Sequence, residues 1–293
     1  MKFFAQNLIS VKALNLTVFR ILKFVDNRGL YTFFRLFRHI LFFGKTSKPL
    51  NLSLNQRLIS IPVDPYWLRL LSKSFQYEPE IKQVLNSIRQ EFCFIDFGAN
   101  IGYWSNYVSG LESCIKIVAV EPNITLSKFL TQNLDNNKTT LVSKAISSKS
   151  GDNSFLFLPG KENLESDATL IKGLSGVRKL PISTISFQDF MSENHFPPSI
   201  LVFKVDVEGL EPLIIKGILG LRNSRVIIIY EEHGKQDWNT STHFLLKMNY
   251  SIFYFQKEWI KIQSIRDLQN IKIDHRKAYN LVATNMVEIS LNS

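Results

Sequence analysis

The sequence predicts a doubly wound α/β domain built on a mainly parallel sheet and preceded by a helical N-terminal extension. Three observations carry this reading. From residue 92 onward, short apolar runs alternate with helical patterns, as expected of a parallel sheet covered by helices on both faces. The first of these runs passes directly into a glycine turn, and the second ends in a carboxylate followed by proline. The excess of basic residues is confined to the first 48 positions, so the body of the chain is almost neutral.

A chain of 293 residues suits one α/β domain with extensions, or at most two modest domains. Its 45% hydrophobic content, including 23 Phe, is enough to fill a large core and excludes disorder over the whole length. The two cysteines, Cys93 and Cys114, sit beside apolar residues and read as reduced core thiols. With five scattered histidines they make no zinc-ligand spacing. The net charge of +10 resembles a nucleic-acid footprint until it is mapped. Residues 1–48 hold nine Lys or Arg against Asp26 alone, and the remaining 245 positions carry only +2. The body therefore has no electrostatic reason to follow a phosphate backbone, and a nucleic-acid partner is not expected.

In order along the chain, Leu8, Val11, Leu14, Val18, Ile21, Leu22 and Val25 recur at helical steps. A second helical stretch from Leu30 to Phe43 follows the break at residues 26–29. No uncharged apolar run reaches the ~18 residues that a membrane span needs, and no signal-peptide pattern is present. The basic, Phe-rich segment either lies on an anionic membrane surface or packs on the domain. The expected location is cytoplasmic, with peripheral attachment at the inner membrane face in the first case. Residues 44–55 read as a linker, and residues 66–90 as a helical lead-in with Pro79 near a helix start. The expected division is 1–48 extension, 49–91 linker and lead-in, and 92–287 main domain. Strands are expected at 92–97, 115–121, 140–146, 201–207 and 226–230, as members of one parallel series. Residues 154–158, 251–255, 259–262 and 278–284 are further candidates, the last three as antiparallel edge strands.

The first chemical signal is the turn from Asp96 to Gly102. Gly98 and Gly102 remove side chains where the chain turns sharply and a ligand can approach the backbone. Asn100 can hold the turn through its amide. Asp96 lies at the strand end where open α/β sheets hold ligands. An acid precedes Gly98 and the third glycine of the dinucleotide fingerprint is missing. A carboxylate there suits the cationic amine and sulfonium of S-adenosylmethionine; a dinucleotide or a merely structural turn are the alternatives. The second signal is Glu121, 25 residues after Asp96 at the next strand end. Such an acid can accept both hydroxyls of an adenosine ribose, or else cap the helix that follows. Asn123 beside it joins the cofactor-side candidates.

The third signal is Lys204, Asp206 and Glu208, which alternation places on one side if the strand runs that far. Charged groups at the exit of an apolar strand are costly unless they pair or bind a polar ligand. Asp206 could take or orient an acceptor proton with Lys204 fixing it, or the cluster is a structural ion-pair network. Glu211 would enter the first turn of the next helix, where an acid is favourable. Glu231 and His233, at the following strand end, could line the same mouth. His233 is then a general base, a substrate contact or simply a satisfied loop residue. A divalent metal could assist, but the spacing of Asp206, Glu208 and Glu231 specifies no ligand set.

With these residues in view, the chain resembles the FkbM-type methyltransferases. The segments FIDFGANIGYWS at 94–105, VEPN at 120–123 and FKVDVEGLEPLIIKG at 203–217 carry the resemblance, which spans roughly residues 92–255. It implies a class I methyltransferase (Rossmann-like) fold with a seven-stranded sheet, and cofactor contacts at Asp96, Gly98, Asn100, Gly102 and Glu121. It also implies acceptor-side roles near Asp206, Glu208 and Glu231, and methyl transfer to a hydroxyl of a sugar, glycan or related metabolite. The family places an Asp after a Thr-Leu pair where this chain has Ser186 after Thr184-Ile185. The other functions kept open are methylation of RNA or protein, and a membrane-associated assembly protein that retains the fold without turnover.

Overall fold

The computed structural model describes residues 49–54, 57–62, 66–71, 76–134, 137–151, 154–158, 178–221, 223–233, 239–274 and 277–286. The helices expected within 1–48 lie outside the described residues. The chain divides into two compact units, Met1–Glu78 and Pro79–Ser293.

In the smaller unit, β1 (Leu50–Leu54) pairs antiparallel with β2 (Arg57–Ile61), from Leu50 opposite Ile61 to Leu54 opposite Arg57. Part of this hairpin falls in the stretch that composition marks as linker. The correction has a plain cause: Leu50, Leu52 and Leu54 alternate with Asn51 and Ser53, and that period-two pattern outweighs the polar content. A 3-10 turn follows at Trp67–Leu71, with Tyr66 set edge-on to Trp67 and Arg69 over the Tyr66 ring.

The larger unit opens with α1 (Pro79–Ser87), which buries Ile81, Val84 and Leu85 and starts with Pro79 as expected. Next come β3 (Phe92–Phe97), α2 (Tyr103–Ser109), β4 (Cys114–Val120), α3 (Ser127–Asn133), β5 (Thr139–Val142), β6 (Ala145–Ser147), β7 (Ser154–Leu158), β8 (Arg178–Ile182) and β9 (Thr184–Ser186). The chain continues through α4 (Phe187–Glu193), β10 (Ile200–Val205), α5 (Glu211–Ile218), β11 (Arg225–His233), α6 (Thr240–Lys247), β12 (Ser251–Phe255), β13 (Trp259–Ile262), α7 (Ile265–Ile271) and β14 (Ala278–Thr284). The main sheet runs β13-β12-β14-β11-β10-β3-β4-β5. The five strands from β11 to β5 are parallel, and β14, β12 and β13 pair antiparallel. This is the expected doubly wound layout with one edge strand, β13, beyond the seven implied.

The stretch 140–146 is not one strand. β5 ends at Val142 in the main sheet, whereas β6 pairs with β9 in a separate ladder. Every residue of β3 and β10 is buried, as in strands covered on both faces. Phe97, Phe187, Phe190 and Phe203 fill one side, with Phe97 stacked on Phe203 at 6.2 Å between centroids. Cys93 and Cys114 are free and buried, and burial pushes the Cys114 thiol up to about 12.

From β3 the chain steps outward to β4 and β5, whereas β10 and β11 extend the sheet the other way. The order therefore reverses between β3 and β10, and the crevice beyond their C-terminal ends is where such sheets hold ligands.

Candidate functional site

The crevice is built from the turn after β3. Gly98 (φ +81°) and Gly102 (φ +80°) both lie in the left-handed region, as does Asn100 (φ +53°). The amides of Gly98 and Ala99 both donate to the Val120 carbonyl, locking the turn to the end of β4. A Cβ on Gly98 would run into the carbonyl oxygen of Asp206, so the β3 turn and the β10 exit touch backbone to backbone.

Asp96 is 1% exposed. Ser105 of α2 donates to its Oδ2 at 2.8 Å, and among the described residues its buried Oδ1 meets no hydrogen-bond partner. Burial raises the carboxyl above its ordinary range, with Lys204 opposing. Glu121 accepts from the Asn100 amide at 2.9 Å through Oε2 and from the Asn123 amide at 2.8 Å through Oε1. Burial pushes its carboxyl up to about 7 against those two bonds. Each Glu121 oxygen keeps a free lone pair after one backbone bond. The Asn123 side chain instead accepts from the Thr125 amide and hydroxyl, capping the 3-10 turn Ile124–Leu126. Its backbone is what orients Glu121.

These groups fit S-adenosylmethionine. The unpaired Asp96 Oδ1 and the buried, unpaired Asn100 Oδ1 are acceptors suited to a cationic amino-acid end. Glu121 would take the ribose hydroxyls. Glu121→Ala should therefore weaken cofactor binding by about 1–3 kcal/mol, the scale of losing charge-assisted bonds. Calorimetry showing unchanged affinity in a folded variant would remove Glu121 from the site.

On the other side of the crevice, β10 ends at Val205, two residues earlier than the apolar pattern suggests. Lys204 is buried and donates to Asp206 Oδ2 at 2.9 Å; it also stands in register with Asp96. Glu208 leaves the strand line through a left-handed conformation (φ +53°), followed by Gly209 (φ +103°). The loop is held by a residue whose role is larger than its sequence position suggests. Glu211, buried at the start of α5, accepts from the amides of Val207 and Gly209. Asp206, Glu208 and Glu231 come together: a carboxylate oxygen from each lies within 4.8 Å of the others. All three are partly exposed at the mouth. Their donor set is of the kind that can hold a hydrated magnesium ion or receive a proton. His233 ends β11 opposite Ala278, and its side chain lies outside the described positions.

Glu232 was not singled out by sequence, although two consecutive strand acids must face opposite ways. It is buried and accepts from the amide and hydroxyl of Thr242 at 2.8 and 2.9 Å, tying α6 to β11. Tyr230 joins the Thr242 hydroxyl, and Lys272 donates to Asn239 at the start of α6. Burial raises Glu232 to about 7, opposed by the Thr242 bonds and Lys272. The folded chain thus favours the neutral acid. The stability this contributes is full below the unfolded value near 4.5 and is lost as pH rises through about 7. Glu232→Gln should stabilise the protein at pH 8 by roughly 1–3 kcal/mol and change little at pH 4. Parallel melting-versus-pH curves for the two proteins would contradict this.

Ser186, at the position of the family Asp, is an N-cap. Its hydroxyl accepts from the Asp189 amide at 3.1 Å and donates to the Asp189 carboxylate at 2.8 Å, starting α4.

The geometry agrees with the sequence comparisons. Residues 96–255 match the methyltransferase FkbM domain. No curated protein matches the chain. Among solved structures, precorrin-6y C5,15-methyltransferase from Geobacter metallireducens is 14% identical, covers 72% of this chain and 90% of its own, and has a TM-score of 0.39. M. jannaschii TYW2 in complex with AdoMet is 11% identical, covers 83% and 86%, and scores 0.42. An rRNA methylase from Streptococcus thermophilus is 10% identical, covers 72% and 98%, and scores 0.39. The family match takes in Asp96, Glu121, the Lys204–Glu211 segment and Glu231, which form the crevice described above; the chain belongs to the methyltransferase FkbM domain family and is an S-adenosylmethionine-dependent methyltransferase.

Proposed function

We propose that the protein methylates a hydroxyl of a sugar, glycan or related metabolite. The observation that carries this is the convergence of Asp206, Glu208 and Glu231 beside the cofactor crevice. A hydroxyl is a poor nucleophile while protonated, so its methylation needs a proton acceptor at the attacking oxygen. Asp206 would serve as that acceptor, with Lys204 holding one of its oxygens. Glu208 and Glu231 can accept from neighbouring hydroxyls and fix the ring. When bound, S-adenosylmethionine supplies a methyl group activated by its sulfonium. Asp96, Asn100 and Glu121 would hold it on the β3–β4 side, opposite the acceptor acids. The near-neutral body disfavours RNA as acceptor. The test is to offer methyl-labelled cofactor with oligosaccharides, glycolipids and RNA, and to locate the label by mass spectrometry. Label in a sugar hydroxyl is expected; label only in RNA or protein would overturn the reading.

The basic, Phe-rich residues 1–48 are proposed as a peripheral membrane attachment. Among the described residues no helix is long and apolar enough to cross a membrane. Each basic residue at an anionic surface contributes up to about 1 kcal/mol, and buried rings add to this. Cosedimentation with anionic vesicles should fall with added salt and be lost in a chain starting near Pro49. Equal sedimentation of both proteins would mean that the extension is not the anchor.

A further inference from the structure

A pocket of about 580 Å³ opens where β12 ends and β14 begins. Its volume is in the range of small-molecule sites, roughly 300–1,000 Å³. The position follows from register. Asn280 of β14 is paired with Glu231 of β11, and antiparallel partners share a face, so Asn280 stands on the side of the sheet that Glu231 occupies. Its amide donates to Glu80 of α1 at 2.8 Å. Tyr279 faces the other way and meets Tyr254, which pairs with β14 through Leu281; the two rings are 6.1 Å apart at 53°. The pocket therefore joins Asn280, on the Glu231 side of the sheet, to a pair of aromatic rings on the other side.

The lining is unevenly satisfied. The Tyr279 hydroxyl is engaged with the Asp274 backbone. Among the described residues, the Tyr254 hydroxyl and the Gln256 side-chain amide make no hydrogen bond, although both line the pocket. Glu80 uses only one oxygen on Asn280. A ligand for this wall needs an apolar face to lie against a ring, together with several groups that both donate and accept. A sugar ring has both: C–H faces that pack on aromatic rings and hydroxyls that pair with amide, carboxylate and phenol groups. Anionic ligands fit poorly, because Glu80 and Asp274 outnumber Lys277 in the lining.

We propose that this pocket is the acceptor subsite and takes a neutral sugar residue, with Tyr254 and Gln256 as specificity-determining contacts. The proposal rests on the sugar-hydroxyl reading above and adds the place where the sugar binds. Neither residue touches the reacting atoms, so their loss should act on binding.

The experiment uses the full chain loaded with S-adenosylhomocysteine and the methyl glycosides of glucose, mannose and galactose. Saturation-transfer NMR identifies binding, and titration gives affinities. Tyr254→Phe removes only the hydroxyl, and Gln256 lies at an exposed turn, so both Tyr254→Phe and Gln256→Ala should fold. Each should weaken the bound glycoside about 3- to 10-fold, the effect of losing one neutral hydrogen bond. In turnover, each should raise the glycoside KM by the same factor with kcat unchanged. Glycoside binding that neither variant weakens would overturn the pocket while leaving the sugar reading intact. Failure of every glycoside to bind the wild-type protein would overturn the sugar reading and the pocket assignment with it.

Discussion

Asp206→Asn should lower turnover by about 10²–10⁴-fold while leaving cofactor affinity nearly unchanged. The substitution keeps the shape of the side chain and removes the charge that accepts the hydroxyl proton. Its position makes the test clean on the cofactor side, because Asp96 and Glu121 are held by α2 and by the turn amides rather than by Asp206. The cost to folding is the main confounder. Lys204 is buried, and a buried ion pair broken on one side costs on the order of 3–5 kcal/mol when the remaining charge has no other partner. Here Asp96 stands in register with Lys204 and already feels its charge, so the ammonium retains a carboxylate nearby. The variant should fold, with a melting shift smaller than that full penalty. Wild-type turnover in the variant would remove Asp206 from the chemistry. A loss confined to cofactor affinity would move it to the other side of the crevice.

Much of this site is visible in the sequence because its signals are local. β3 and β10 read as apolar runs, since both faces of a central parallel strand are buried. The acids at 96 and 121 stand out because each is the one charged residue at the C-terminal end of an apolar run. The less legible features depend on partners distant in sequence. The stretch 140–146 splits because Ala145–Ser147 pairs with Thr184–Ser186, a choice that periodicity within seven residues does not contain. Glu211 looks like an ordinary first-turn acid, but its position past Gly209 lets it clamp the loop amides. Asn123 looks like a cofactor contact because it follows Glu121, yet its side chain is used by Thr125. The hairpin at 50–61 was within reach. Its alternating leucines are a sequence signal, obscured by the Ser, Lys, Pro and Asn around them. Glu232 is legible in the same way, because alternation along β11 turns it to the face opposite Glu231.

Gly98→Ala should have the largest effect on the fold near the crevice, destabilising the protein by roughly 3–5 kcal/mol and abolishing cofactor binding. Two costs combine there. An alanine at φ +81° pays for a left-handed backbone, about 1–2 kcal/mol. Its Cβ would also overlap the Asp206 carbonyl, a backbone atom that cannot swing aside as a side chain can. The Asp206 amide already donates to the Phe97 carbonyl at 3.1 Å, so relief would require separating the ends of β3 and β10. The remaining glycines allow the two costs to be measured separately. Gly151 has φ +77°, and no atom of the described residues comes within 4 Å of where its Cβ would stand, so Gly151→Ala should show the conformational cost alone. Gly102 has φ +80° and would place a Cβ 3.2 Å from a Leu130 methyl, which can give by a few tenths of an ångström. Gly102→Ala should therefore fall between the two. Denaturant unfolding of the three variants should order them Gly151, Gly102, Gly98, with cofactor binding lost first at position 98. If Gly98→Ala matched Gly151→Ala in stability and bound cofactor normally, the β3 turn and the β10 exit would not be in contact. The placement of Asp206 beside the cofactor crevice would then have no structural support.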